Sequence, residues 1–443
     1  METSNHKKKL SAQMPTSRRN VLLLLWIGSG VLFVLLFSAL SPFRGGLPNS
    51  DSSVFLNIGN AIRHGKVMYR DVFDHKGPVI FLINAVGLAI GSGSPYGVFL
   101  LEIANSAFSF LVLYQIFRDV GWRSQLLVLL LTLAMLNYSF QGGNFTEEYT
   151  LPAALTALWL YLKRPFDSKT AIVYSLLFFY AFLMRLNNVS VVGIILLLHW
   201  IRVVSAGQIR QALLGMFWFL FIAVLTTLAL FWYFRSNNAL AEFLNGMFLF
   251  GLDYVGVTMS YRLRSLLFLS NTFAFFLAIP FAYLYLALRN RDRWQFFELA
   301  SLWLIGFISI NLSGQPFRHY FMLFVPVVVL SLRRLLDSRA DWTLYFPERF
   351  GRAFALLGIV FLLFGFRPNG SGVPFQDSRY SQTLKEYGLT HADTLFLIGY
   401  TKQSRVFLYA GLVPEQKWFI PLTHDGIQGL DTVRLTLEKI EEL

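Results

Sequence analysis

The chain contains no cysteine among its 443 residues. That excludes structural disulfides, thiolate metal sites and cysteine nucleophiles, leaving carboxylate, imidazole, amine, guanidinium and hydroxyl groups for any chemistry. Charge is scarce as well: charged residues make up 14% of the chain against 55% hydrophobic, and mean hydropathy is +0.53. A water-soluble domain has no core large enough to hide that much apolar surface, so composition selects a membrane protein. The net charge of +13 does not point to nucleic acid, because the basic residues stand in short groups between apolar runs and form no aromatic-interleaved surface. No repeat at solenoid periods is present. Gly91-Ser92-Gly93-Ser94 has no accompanying lysine and reads as a helix connector, not a phosphate loop.

What is abundant is apolar sequence. The first run, Val21 to Leu40, follows Lys7, Lys8, Lys9, Arg18 and Arg19 and would span about 30 Å as a helix. No small-residue cleavage site follows it, so it reads as a retained span behind a cytoplasmic tail, residues 1–20. Further apolar stretches lie near Tyr96–Phe117, Gln125–Phe140, Tyr149–Leu162, Ile172–Met184, Val189–Val204, Ala212–Phe234, Ser265–Leu288, Phe297–Leu312, His319–Leu335 and Phe354–Phe366. The expected fold is therefore an all-α polytopic membrane domain over residues 21–366 with about eleven transmembrane helices. Strict alternation from a cytoplasmic N-terminus places the Arg118/Arg123, Lys163/Arg164/Lys169, Arg202/Arg210, Arg289/Arg291/Arg293 and Arg333/Arg334/Arg339 groups all inside, as the positive-inside rule requires. Counting Val79–Ile90 as a span would invert every later loop, so it reads as a helix lying at the outer interface. Several stretches are short and suggest partial or tilted helices around a protein-lined cavity. Beyond Arg367 a Pro-Asn-Gly-Ser-Gly linker opens a small extracytoplasmic α/β tail, residues 367–443, with short strands at Thr394–Ile398 and Arg405–Tyr409 and an amphipathic helix over Asp431–Leu443.

The alternation puts a polar outer loop, residues 41–95, just beyond the first span. It carries Asp51, Arg63, Tyr69-Arg70-Asp71 and Asp74-His75-Lys76-Gly77-Pro78. Asp51 stands in a serine-rich stretch before a helix-like segment, Ser53 to Arg63, where a capping carboxylate is the plain reading. Three further polar groups fall on the same side: Glu147-Glu148 at the start of the fourth span, Arg185 with Asn187 and Asn188 after the fifth, and Arg318-His319-Tyr320 opening the tenth. Ionisable groups gathered at one face of a bundle are costly unless they line a path or a site. A carboxylate among cations suits transfer from a phosphate-bearing donor, the acid taking a hydroxyl proton and Lys or Arg stabilising the charge left on phosphate. Asp71 and Asp74 share one turn, where salt bridges to Arg70 or Lys76 outweigh a metal role. His75, His319, Asp51 and Glu147 offer oxygen and nitrogen donors, but their spacing specifies no metal.

Taken together, Asp51 with the helix Phe55–Gly65, Tyr69-Arg70-Asp71, Asp74-His75-Lys76-Gly77-Pro78, Glu147-Glu148 and Arg318-His319-Tyr320 resemble the C-type superfamily of membrane glycosyltransferases. The likeness is to the bacterial relatives of protein O-mannosyltransferase and of the lipid A aminoarabinose transferase, over roughly Val21 to Leu336. Leu397-Ile398-Gly399-Tyr400 in the tail resembles their outer domain. The resemblance implies interfacial helices in the first outer loop, residence in the plasma (inner) membrane, a polyprenyl-phosphate-linked sugar as donor, and a lipid, glycan or protein hydroxyl as acceptor. It implies Asp51 as catalytic base, Glu147 or Glu148 as the second acid, and Lys76 as the donor-phosphate lysine. Arg63, Tyr69, Asp74, His75, Arg185, Arg318, His319 and Tyr320 complete the candidate substrate-binding set. No soluble cofactor is required; a divalent metal is left open. The chain departs from the family where Ser52 follows Asp51 in place of a second acid, and where glutamates stand for the second aspartate. A transporter or lipid flippase with a polar pathway is the competing reading, and an inactive relative serving as a binding subunit is a third.

Overall fold

The computed structural model describes residues 15–44, 49–250, 259–312, 314–315 and 317–338. The last expected span and the C-terminal tail, with its strands and helix, lie outside the described residues, as do residues 1–14 of the N-terminal tail. The described chain is helical: α1 (Thr16–Phe37), α2 (Ser50–Arg63), α3 (Pro78–Ile90), α4 (Tyr96–Phe117), α5 (Trp122–Ser139), α6 (Thr146–Lys163), α7 (Ser168–Met184), α8 (Val189–Ser205), α9 (Ile209–Ser236), α10 (Leu240–Leu244), α11 (Met259–Thr272), α12 (Ala274–Arg289), α13 (Arg293–Asn311) and α14 (Val325–Asp337). Short 3₁₀ turns at Leu186–Asn188 and Arg318–Phe324 lead into α8 and α14.

Helix α9 settles the environment. It is 28 residues long, apolar all round, and buries only Ala212, Gly215 and Phe234, while Leu213, Leu220, Leu228 and Trp232 are exposed. A helix apolar on every face and uncovered by protein requires lipid. Five helical segments are long and apolar enough to cross a membrane: α1, α4, Leu186–Ser205, α9 and Arg318–Asp337. The chain is a multi-pass membrane protein. Others of the expected spans, such as α6, are enclosed by neighbouring helices, so their own composition carries polar groups that a lipid-facing helix would not tolerate.

One expected span is not a single helix. Ser265–Leu288 is divided into α11 and α12, whose axes bend by 84°. At the break Phe273 leaves helical geometry and its ring stacks on Phe321 at 3.7 Å between centroids. Ser270, Asn271 and Thr272 precede it, weak helix formers that cannot hold the turn against that packing. The short apolar stretches are longer as helices than their apolar residues suggest. Tyr149–Leu162 becomes an 18-residue α6, about 27 Å long, because Thr146, Glu147, Glu148 and Lys163 are helical too.

The bundle has two polar ends. Near one, Asp119 after α4 takes Lys163 from the end of α6 and Arg333 from the end of α14, and Arg334 pairs with Glu298 near the start of α13 at 2.8 Å. These are the basic groups that the charge pattern assigns to one side. Near the other end, Ser38 after α1 donates to Glu102 near the start of α4 at 2.6 Å, and α6 begins with Glu147 and Glu148.

The segment between α1 and α4 folds as a unit with its own apolar core. Tyr69, Phe81, Phe234, Phe243 and Met247 belong to it, so α2, α3 and the turn between them are clamped over the end of α9. The sharpest joint is Gly77, whose N–H donates to Met184 O at 3.0 Å; a methyl group there would run into the Leu183 carbonyl. Backbone atoms cannot yield as a flexible side chain can, so Gly77→Ala is expected to lower stability by about 1–3 kcal/mol. Thermal melting in detergent checks it, and Gly65→Ala, where a positive φ but open space is found, is expected to cost less.

Candidate functional site

Asp51 lies in the first turn of α2 and is not its cap. Asn49 caps the helix, its side chain accepting from the Ser52 N–H at 2.8 Å. The capping reading of Asp51 therefore gives way, and its carboxylate is left half-buried where negative charge meets the positive end of the helix dipole. No ion pair or side-chain hydrogen bond among the described residues commits it.

Arg185 ends α7 in extended backbone and reaches back across the bundle. Its side chain donates to Glu147 Oε1 at 3.0 Å and to the Tyr320 hydroxyl at 2.8 Å, and its guanidinium lies 4.7 Å from the centre of the Tyr320 ring. Next to Tyr320, the His319 ring stacks on Phe145 at 4.0 Å and lies 3.1 Å from Gln141 Oε1 through Nδ1. The charges of Glu147, Asp51, Arg185 and Lys76 all act on the His319 ring. One locus thus gathers side chains that lie up to 269 positions apart, from Asp51 to Tyr320.

Lys76 approaches from the first outer loop. It is 8% exposed, pairs with Asp74 at 3.3 Å and holds its ammonium 5.5 Å from the Phe55 ring centre. Asp74 also meets His75 Nδ1 at 3.2 Å, and Asp71 pairs with Arg70 at 2.8 Å, so both loop aspartates are ion-pair partners. Burial raises the Asp74 carboxyl, but Lys76 and His75 outweigh it and hold the group below the usual carboxylate range. Burial, then the Lys76 charge, lowers His75 to about 4, against the pull of Asp74.

These shifts carry a sign. Between about pH 6.5 and 4 the unfolded chain protonates His75 while the folded chain does not, so stability falls as pH falls through that window. The Asp74 contribution is present above its unfolded value of about 3.9 and is lost as pH drops below it. Acid is therefore expected to loosen this loop first through His75. Melting temperature followed against pH checks this, and His75→Gln is expected to flatten the slope between about pH 6.5 and 4.

Four of the expected residues belong elsewhere. Arg63 is at the far end of α2, about 18 Å along the helix from Asp51, exposed and near Gly93. Arg318 directs its guanidinium over the Phe268 ring at 5.8 Å. Tyr69 is fully buried, donating its hydroxyl to Lys76 O at 2.7 Å, and so shapes the loop from behind. Glu148 turns into the protein, where its Oε2 accepts from the Asn144 N–H at 2.7 Å; this separates it from Glu147, which faces Arg185.

The turn that joins these parts is not among the residues expected from sequence. Gln141, Gly142, Gly143 and Asn144 all have positive φ, a left-handed run that only glycine enters without strain. Its groups tie the end of α1, the start of α2, α3 and the turn at His319 together. Gln141 meets His319, Gly142 O accepts from the Ala39 N–H at 2.8 Å, and Gly143 O accepts from the Asn49 side chain at 2.9 Å. The Asn144 amide donates to Ser52 at 2.9 Å and to Asn84 at 2.9 Å. The adjacent pair Gly142-Gly143, separated from Glu147-Glu148 by three residues, was the available signal.

Among the described residues, no group of three or more His, Asp or Glu side chains converges as a metal site. No family model matches the chain, and no curated protein matches it. Among solved structures, the chain is similar to the oligosaccharyltransferase of Archaeoglobus fulgidus in complex with Zn and sulfate. The match has a TM-score of 0.49 and 15% sequence identity, and covers 89% of this chain and 62% of that one. The chain thus spans under two thirds of the length of the enzyme it matches.

Proposed function

We propose that the protein is a membrane glycosyltransferase that moves a sugar from a polyprenyl-phosphate donor to a hydroxyl of a lipid, glycan or protein, with inversion, at the outer face of the membrane. The observation that carries the reading is the Asp51 carboxylate, uncommitted among the described residues, sharing one locus with Lys76, Arg185 and His319. Asp51 accepts the proton of the acceptor hydroxyl, whose oxygen attacks the anomeric carbon from the face opposite the phosphate. The bond from that carbon to the phosphate oxygen breaks, and the polyprenyl phosphate leaves with the electron pair, its charge met by Lys76 and Arg185. Glu147 keeps Arg185 oriented, and Tyr320 fixes the guanidinium plane. No soluble cofactor enters these steps.

The reading places the basic end of the bundle in the cytoplasm of a cell with a plasma (inner) membrane, with about eleven spans and the C-terminal tail outside. A transporter would need ionisable groups at mid-membrane and access from both faces, whereas Asp51, Lys76, Glu147, Arg185 and His319 gather toward one end. Comparing the lipid-linked sugars and surface glycans of cells with and without the protein tests the proposal. Loss of a glycan with accumulation of its polyprenyl-phosphate sugar is expected; unchanged pools of both would refute it.

A further inference from the structure

Asn84 is the one polar side chain of α3, and it is fully buried. An amide in an otherwise apolar helix of a membrane protein is costly unless it is bonded, and such groups mark binding or working parts. Asn84 is not among the side chains gathered with Asp51, Lys76 and Arg185. Its bonds say what it does. It forms a reciprocal amide pair with Asn144: Asn84 Nδ2 donates to Asn144 Oδ1 at 3.1 Å, and Asn144 Nδ2 donates to Asn84 Oδ1 at 2.9 Å. Each amide then has one N–H left. That of Asn84 goes to Ile80 O at 2.9 Å, and that of Asn144 goes to Ser52 Oγ at 2.9 Å.

The order of these bonds is fixed from one end. A peptide carbonyl only accepts, so Ile80 O requires the nitrogen of the Asn84 amide, not its oxygen. The pair then turns the Asn84 oxygen to the Asn144 nitrogen, and the remaining Asn144 N–H meets Ser52. Ser52 directly follows Asp51 in the first turn of α2. Asn49, just ahead of α2, is tied to the same turn through its donation to Gly143 O at 2.9 Å. The backbone is thus held on both sides of Asp51, whose carboxylate is uncommitted among the described residues. Farther along α2, a methyl group on Gly59 would meet the backbone of Asn84 and Ala85, so the two helices touch and α3 is a fixed base for the pin. Neighbouring helical positions differ by about 100° in direction. A pin at Ser52 therefore sets the direction of Asp51.

We propose that Asn84 is a positioning residue for glycosyl transfer, acting through Asn144 and Ser52 to hold the Asp51 carboxylate toward the acceptor hydroxyl. The inference rests on the reading of Asp51 as the base. Displacing a base by about 1 Å costs on the order of a hundredfold in rate. A buried amide pair that served packing alone would lower stability and leave the rate of the folded enzyme intact.

Steady-state transfer by the full-length protein in proteoliposomes, with the polyprenyl-phosphate sugar that accumulates in cells lacking it, tests this in the wild-type and Asp51→Asn backgrounds. In the wild-type background, Asn84→Ala and Ser52→Ala are each expected to lower kcat by about tenfold or more, with KM for the lipid donor changed by less than about twofold. In the Asp51→Asn background neither is expected to lower the residual rate further, since a residue acting through Asp51 has nothing left to position. Ser52→Ala spares the pair of Asn84 with Asn144, so it carries the test if Asn84→Ala does not fold. Unchanged kcat in the wild-type background, or the same fractional loss in both backgrounds, overturns the proposal and leaves Asp51 as the base. Wild-type transfer by Asp51→Asn itself overturns the base and the positioning together.

Discussion

Arg185→Leu is expected to destabilise the protein by about 3–5 kcal/mol and to abolish transfer. Arg185 is 8% exposed and Glu147 2% exposed, so removing the guanidinium leaves a carboxylate buried without its cation, the costly half of a broken pair. The Tyr320 hydroxyl loses its donor at the same time. Restoring electrical balance separates the structural from the functional role. Arg185→Leu with Glu147→Leu removes both charges and is expected to recover most of the stability, since an apolar pair of similar volume replaces a buried ion pair at little cost. It is not expected to recover activity, because the cation facing the donor phosphate is gone. Melting in detergent and transfer by the same preparations check both halves; a double variant that transfers sugar at the wild-type rate would remove Arg185 from the proposed chemistry.

Much of this locus was legible in sequence because ionisable residues are conspicuous in a chain with so little charge. Glu147-Glu148, Arg185 and His319-Tyr320 each interrupt or open an apolar run, and alternation of basic loops puts them on one side. Which of two adjacent acids faces the site was not legible, since neighbouring helical positions differ by about 100° in direction and only packing orients them. Arg63 and Arg318 were overread for the same reason: position along the chain fixes the end of the bundle but not the direction of a side chain. The Gln141–Asn144 turn escaped because its glycine pair signals a turn but not what the turn's uncharged amides hold, and the left-handed backbone becomes visible only in φ. The break at Phe273 escaped because the polar triplet Ser270-Asn271-Thr272 does not by itself end a span, while the packing that turns the chain, stacking on Phe321, lies 48 positions away.

Asp51→Asn is expected to lower transfer by about 10²–10⁴-fold, the range for loss of a general base. The fold is expected to survive, because asparagine keeps the shape of the side chain and Asn49, not Asp51, caps the helix. The loss in stability is expected to stay within about 1 kcal/mol, the size of a helix-dipole interaction near a first turn. This separation of activity from stability distinguishes Asp51 from Arg185, Glu147 and Asp74, each held in a buried pair.

The most direct measurement is transfer by Asp51→Asn beside wild type, both purified, shown to melt alike, and reconstituted with the polyprenyl-phosphate sugar that accumulates in cells lacking the protein. Wild type is expected to transfer and the variant to be slowed by at least about a hundredfold, with binding of the lipid donor retained. Transfer by a correctly folded Asp51→Asn protein at the wild-type rate would contradict it.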